Sequence, residues 1–521
     1  MSPASSIEPG GNMQSMSKAL PGTPPLHAHH PWPRRIVDAD TWSALAAQLA
    51  EGRWTLAGLW GDAGAVHMAL LDIGHGERGH GEMAVATLLC PTGQFPSIAR
   101  HHPPAHRLER TIRDLFGLEP VGAPDDRPWL DHGRWRVSHP LGASVETSGQ
   151  GEAYVFLTAE GEGLHRIGVG PVHAGIIEPG HFRFTANGET VVRLEERLGY
   201  THKGVESLMA GASLERAARL AGRISGDSTV AYSIAFARAV EAALGIEIPT
   251  RAHWLRALMA ELERIANHLG DIGAACNDAA FALMHAHTAV LRERVLRQSN
   301  ACFGHRLMMD KVVPGGVAID LESAGAAGIR SLMATIREAF PPLIELFDDT
   351  ASLQDRTVGA GIVSHALAHQ YGCGGYVGRA SGRSFDTRRD LPYPPYDSLR
   401  FDVPLFQEGD VNARLWVRIR EVEQSLGLID QILAGMPSGD ISVAVGHGPD
   451  PCEGIALVEG FRGDILCWLR LGPAGNVERC HVRDPSWFQW PVLEAAIDGN
   501  IVADFPLCNK SFNCSYSGHD L

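Results

Sequence analysis

The longest regular pattern in the chain is a row of apolar residues at Leu255, Leu258, Leu262, Ile265, Leu269 and Ile272, stepping by three and four. That step puts all six on one stripe of an α-helix, to be laid on a core or a partner helix. The same period dominates from Val205 onward, so most of the chain past that point reads as helical. The first part reads differently. Asp40 can cap a helix through Leu49, with Trp42, Leu45 and Leu49 on one face. Strand-like runs follow at Trp54–Trp60, Val66–Leu71 and Met83–Leu89, separated by Gly-rich turns. A second helix is expected over 102–117, with Leu108, Ile112, Leu115 and Phe116 as its stripe and Gly117 as its stop. After a Gly-rich stretch from Gly142 to Gly151, the runs His165–Val169 and His181–Thr185 look like strands. Asn187-Gly188 is a two-residue turn leading into a returning strand, Thr190–Leu194. The pattern predicts an α+β chain: a small N-terminal α+β domain, then a large, mainly helical domain with a small β-hairpin region. It shows no internal repeat.

Composition sharpens the boundaries. Residues 1–33 carry seven prolines among Gly and Ser and are expected to be a disordered tail. His27, His29 and His30 there can bind a metal, but a solvated tail is the simpler reading. The domains expected are 34–141, a linker with an incoming strand over 142–164, and 165–521. The formal net charge is −15, and the one short basic loop, Arg379 to Arg389, is too local to make nucleic acid a partner. No run of about 18 apolar residues lacks a charge or His, so no segment is expected to span a membrane. The N-terminus lacks the order of a signal peptide. Nine cysteines, an odd number without a Cys-x-x-Cys pair, argue against a disulfide framework or a cysteine-built zinc or iron–sulfur site. No phosphate-cradling loop or dinucleotide fingerprint supports direct NAD binding.

Two stretches carry the candidate chemistry. Arg223-Ile224-Ser225-Gly226-Asp227-Ser228, expected on a helix, resembles the Arg-x-Cys-Gly-x-Cys motif of nickel–iron hydrogenase large subunits. Asn513-Cys514-Ser515-Tyr516-Ser517-Gly518-His519-Asp520-Leu521 resembles the Asp-Pro-Cys-x-x-Cys motif near their end. In that family the four cysteines hold the nickel. Here Ser225, Ser228, Ser515 and Gly518 stand at the matching positions. Nickel and iron there need soft thiolates, which hydroxyls and a bare hydrogen do not replace. The expectation is a hydrogenase scaffold whose metal site has been emptied, with no metal or cofactor bound by this chain. Cys514 is one position out of register and is expected to be a buried, inert thiol. The sequence stops at Leu521, where such hydrogenases often carry a cleaved tail, which fits a chain never loaded with nickel.

Further islands widen the resemblance. Glu109-Arg110, Asp114-Leu115-Phe116-Gly117, Gly122, Asp125 and Arg127 resemble the 30 kDa subunit of respiratory complex I over about residues 36–140. Glu261 through Leu269, Gly304-His305-Arg306, Pro314-Gly315-Gly316-Val317, Arg356-Thr357-Val358-Gly359 and Arg379-Ala380-Ser381-Gly382 resemble the complex I 49 kDa subunit. Asp386, Arg388, Pro392-Tyr393, Gly409-Asp410 and Asp504-Phe505-Pro506 extend that match over about 165–521. The fused order resembles the large subunit of formate hydrogenlyase and hydrogenase-4. The loop from Gly170 to His181 resembles a region of energy-converting hydrogenases in which a glutamate, Glu178 here, passes protons.

The resemblance implies a large subunit of a membrane-associated complex I/hydrogenase-4-like oxidoreductase complex, not hydrogen-cleaving and active only within that complex. It would couple electron transfer from a partner's iron–sulfur cluster to proton or ion movement. A scaffold or conformational role is the alternative, and a quinone-reactive subunit is a third. The quinone reading meets Leu214 where the family has tyrosine, while His173, His181 or Tyr232 could offer a proton donor. Implied partners are a small iron–sulfur subunit and antiporter-like membrane subunits, with this chain cytoplasmic and peripheral on the inner face of the cell membrane. Glu178, His181, Arg356 and Asp386 are the candidates for a proton path or cleft, with His173, Arg183, Asp227, Arg388 and His519 beside them. Retained polarity satisfied by mutual hydrogen bonds is the competing reading. Ser225 and Ser228 are read as filler of thiol-like volume or as hydrogen-bond donors, and His268 and His305 as structural.

Overall fold

A computed structural model of the chain describes residues 20–73, 81–151, 153–173, 177–446, 448 and 451–521. The chain begins with a short strand, β1 (His29–His30), followed by β2 (Arg34–Val37) and the helix α1 (Ala39–Ala50). Then come β3 (Thr55–Asp62), β4 (Ala65–Asp72), β5 (Glu82–Leu89) and α2 (His106–Phe116). Strands β2, β5, β4 and β3 form one sheet in that order, parallel only between β2 and β5. The cap of α1 is Asp38, not Asp40: its extended backbone brings the carboxylate to the Thr41 N–H at 2.8 Å. Gly117 ends α2 in the left-handed region at φ 71°, as its place after the apolar stripe suggested.

The expected disordered tail needs correction over 20–33; residues 1–19 lie outside the described residues. Leu20 is buried in the core, and β1 adds in parallel to a strand near the other end of the chain. That strand is a sheet edge with free N–H and C=O groups, and the segment satisfies them: Glu453 N–H donates to Ala28 O at 2.7 Å. His29, read as part of a solvated tail, is buried with Nδ1 2.6 Å from Trp32 O.

Further along the chain comes an antiparallel sheet, β6 (Leu164–Val169), β7 (His181–Asn187) and β8 (Thr190–Arg197). The helices after it include α3 (Leu214–Ala221), α4 (Thr229–Leu244), α5 (Thr250–Asp278), α6 (Ala282–Phe303), α7 (Ser323–Asp349) and α8 (Val411–Gly435). All six residues of the apolar stripe on α5 are fully buried. Among the described residues no helix is long and apolar enough to cross a membrane.

A second sheet was not foreseen. β9 (Cys452–Gly460), β10 (Gly463–Leu471) and β11 (Val477–Arg483) form an antiparallel meander that β1 extends. Both faces are covered. Ile455, Leu457, Leu466 and Trp468 meet Ala57, Trp60, Ala69 and Val85 of the N-terminal sheet, while Ala456 and Val458 face the helical core. The helices α9 (Ser486–Ala496), α10 (Phe505–Phe512) and α11 (Tyr516–Asp520) close the chain.

On the helical face α4 approaches so closely that a Cβ on Gly454 would lie 1.8 Å from Ala239 O. Gly454→Ala is therefore expected to destabilise the protein by about 1–3 kcal/mol, measured by urea unfolding. The protein should also be acid-sensitive through His102. His102 is buried with neither ring nitrogen bonded, and burial alone pushes its pKa from 6.5 down to about 4. A depressed value favours the neutral form, so its contribution is present above pH 6.5 and lost as the pH falls through about 4. His102→Asn should flatten the fall in unfolding free energy over that window by at most about 1.4 kcal/mol per pH unit.

Candidate functional site

The two motifs converge. Ser225 and Ser515, far apart in sequence, place their hydroxyls 2.9 Å apart, and the Gly518 N–H donates to Ser515 Oγ at 2.9 Å. Ser515 thereby caps α11. Ser225 is not on a helix, contrary to expectation. It is extended (φ −139°, ψ 116°), and Gly226–Ser228 make a single tight turn before α4 starts. Ser225 and Ser228 hydroxyls donate to Asp227, which explains the turn, since such short polar side chains compete with helical bonds. The first N–H groups of α4, on Val230 and Ala231, are satisfied instead by Glu263 at 2.7 and 3.1 Å.

Arg462 holds the hollow together. Its guanidinium bonds Asp227 bidentately at 2.7 and 2.6 Å, Ser228 Oγ at 3.2 Å and Asn513 O at 2.5 Å. It stands in the two-residue turn between β9 and β10, where Gly460 pairs with Gly463. Burial pushes the Asp227 carboxyl up, but the Arg462 charge together with hydrogen bonds from Arg462, Ser225 and Ser228 outweighs it and holds the group below its ordinary value. A cavity of about 320 Å³ opens beside these groups, lined by Glu178, Ser225, Asp227, Arg462, Cys514 and Ser515 among others.

The donor set does not fit a nickel–iron group. A Cβ on Gly518 would lie 2.6 Å from Asp484 Oδ2 and 2.9 Å from Ser515 Oγ, so the fourth corner has no room for a side chain. Asp484 is itself fixed, accepting from the Tyr232 hydroxyl and from Ser486 N–H at 2.8 Å. Cys514 is no thiolate: burial pushes its pKa well up, and Sγ points to Gln489 Oε1 at 3.9 Å. What remains is hard oxygen chemistry with one guanidinium.

Of the other residues expected here, the structure brings in Glu178, while His173, His181, Arg183, Arg356, Asp386, Arg388 and His519 do not line the cavity. Glu178 lines the cavity and accepts from the Ser517 N–H at 3.1 Å. His181 starts β7 and bonds Gly170 O at 3.1 Å and Arg183 at 3.4 Å, away from the hollow. Arg356 ends the helix Ala351–Thr357, half-exposed and 3.7 Å from Asp504. Asp386 caps the turn Thr387–Asp390 and holds Arg388 at 2.7 Å inside a buried ion network with Arg379, Glu261, Glu421 and Glu459. His519 lies behind the hollow, stacked on Trp487 at 4.0 Å between ring centres. His173 bonds Gly180 O at 2.8 Å within its own loop. Leu214 sits at the first turn of α3, packed against the helical core. His268 is structural as read, its Nε2–H donating to the Glu421 carboxylate at 2.7 Å. Sequence reasoning missed Arg462 and Asp484. The only signal for the first was a charged residue in a Gly-flanked turn between two apolar runs.

Comparison with known proteins matches three family profiles. They are the respiratory-chain NADH dehydrogenase 30 Kd subunit over 36–151, nickel-dependent hydrogenase over 203–270, and the 49 Kd subunit over 278–448. Formate hydrogenlyase subunit 5 of Escherichia coli (strain K12) is 32% identical over 438 residues, covering 82% of this chain and 77% of that protein. Hydrogenase-4 component G of the same organism is 31% identical over 437 residues, 82% of this chain and 76% of its own length. The carbon monoxide-induced hydrogenase of Rhodospirillum rubrum is 31% identical, over 67% of this chain and 97% of its own length.

Proposed function

The chain belongs to the family of formate hydrogenlyase subunit 5, hydrogenase-4 component G and the carbon monoxide-induced hydrogenase, and from that premise we propose that it serves a nickel-free oxidoreductase complex at a membrane. It is the large subunit of that complex, peripheral on the inner face through its partners. A small iron–sulfur subunit packs near the hollow and supplies electrons. Antiporter-like membrane subunits use the coupled proton or ion movement.

One observation carries the reading: the four positions that hold nickel in the hydrogenase resemblance are gathered here as Ser225, Ser228, Ser515 and Gly518, around an Asp227–Arg462 pair. Such a site handles protons rather than hydride. Glu178, at the cavity wall, is the proton carrier, and the Ser225 and Ser515 hydroxyls can rotate to pass hydrogen bonds between it and Asp227. Against burial, the Arg462 charge and the hydrogen bonds from Arg462, Ser225 and Ser228 keep Asp227 ionised as the fixed acceptor at the far end.

A second reading, a scaffold or conformational subunit, is favoured by the mutual satisfaction of these groups, since Ser515, Ser225, Asp227, Ser228 and Arg462 are joined in one connected hydrogen-bond network. Redox titration of the purified complex with candidate acceptors separates the two. Acceptor reduction coupled to proton uptake supports the first reading, and a complex that assembles yet reduces no acceptor supports the scaffold.

A further inference from the structure

A second cavity, larger than the hollow, lies between the N-terminal domain and the C-terminal turn. It measures about 400 Å³, in the size range of small-molecule sites. Trp60, Phe116 and Trp135 give it broad aromatic walls, and Arg479, His481 and Trp487 also line it. Trp487 Nε1, Trp60 Nε1 and Arg479 Nε have no hydrogen-bond partner among the described residues, although all three residues are more than nine-tenths buried. Buried N–H groups without acceptors are rare in proteins and call for one from outside the chain. Glu206 is taken up by His481 Nδ1–H at 2.7 Å and by Arg479 at 2.9 Å, so the neutral His481 ring offers only its Nε2 lone pair and is not a donor. The unmet demand is thus for an oxygen acceptor on an otherwise apolar, ring-shaped body.

We propose that this cavity binds a small, flat, mainly apolar molecule bearing a carbonyl oxygen, with the Trp487 indole N–H as the donor that recognises it. The site is separate from the hollow and does not rest on the function proposed above. The two sites do share a wall. Ser515 and Ser517 line the hollow, Asp520 and Leu521 line this cavity, and Trp487 stacks on the intervening His519.

The test compares two probes of one shape in calorimetric titrations of the full chain: α-tetralone, which has a carbonyl, and tetralin, which lacks it. The tetralone should bind about tenfold more tightly, as one satisfied buried donor implies. Trp487→Phe, which keeps the ring but not the N–H, should bring tetralone down to tetralin. Ser207→Trp, at an exposed position on the cavity rim, should abolish binding of both without disturbing the core. Equal affinities in the unmodified protein, a carbonyl preference that survives Trp487→Phe, or binding unchanged in Ser207→Trp would each overturn the proposal. Binding that appears only after removal of residues 1–19 would give the cavity to the chain's own N-terminal segment, and would overturn it as well.

Discussion

Arg379→Met should destabilise the protein by about 3–5 kcal/mol, the cost of leaving buried carboxylates without their cation. Arg379 is fully buried and bonds Glu421 at 2.6 Å, Glu459 at 2.9 Å and the Phe385 carbonyl at 2.9 Å, with Asp386 at 3.4 Å. These groups come from α8, β9 and the turn before Arg388, so one guanidinium ties together three elements of the fold. Burial alone would push Arg379 down, but the surrounding carboxylates outweigh it and raise it instead. With methionine there, Arg264, Arg388 and His268 are left to balance Glu261, Asp386, Glu421 and Glu459. Arg420→Met is the matched control. Its pair with Glu423 spans 2.9 Å on the surface, with both side chains at least 40% exposed, and should be worth less than about 1 kcal/mol. Urea unfolding of the two variants should separate them clearly. Equal effects would mean that the buried network is not what binds the elements.

Glu178→Gln should cut acceptor reduction by the complex about a hundredfold while leaving assembly intact. Glutamine keeps the volume and still accepts from the Ser517 N–H, a contact of 3.1 Å, but it does not carry a proton at neutral pH. Arg356→Ala should leave turnover unchanged, because Arg356 is half-exposed on a helix end and paired with Asp504 outside the cavity. Steady-state rates for the two variants in the assembled complex check both statements. A Glu178→Gln complex as fast as the unmodified one would remove this residue from the proton path and favour the scaffold.

Periodicity and resemblance made different parts of this molecule legible. The stripe from Leu255 to Ile272 was readable because its spacing is set by local geometry, and the hairpin was found with its turn one residue out: Asn187 pairs with Thr190, so the two turn residues are Gly188 and Glu189, not Asn187 and Gly188. The sheet of β9 to β11 was not. Every residue of β9 is buried, so it shows no alternation of polar and apolar positions, and its charged residues are paired inside. The strand at His29–His30 could not be seen in a Pro-rich segment, since what orders it is a sheet edge more than 400 residues away. The meeting of Ser225 with Ser515 came from motif resemblance alone; no local pattern links positions 290 residues apart. The same resemblance misplaced His181, Arg356 and Asp386, because a charged residue in a shared motif serves either a cleft or a buried ion network. Only the packing around it decides which.

The most direct test is nickel itself. The intact complex, isolated from cells grown with ample nickel, should carry far less than one nickel per copy of this chain by elemental analysis. Ser225→Ala and Ser515→Ala should leave that value where it was. One nickel per chain, lost in either variant, would contradict the account at its root.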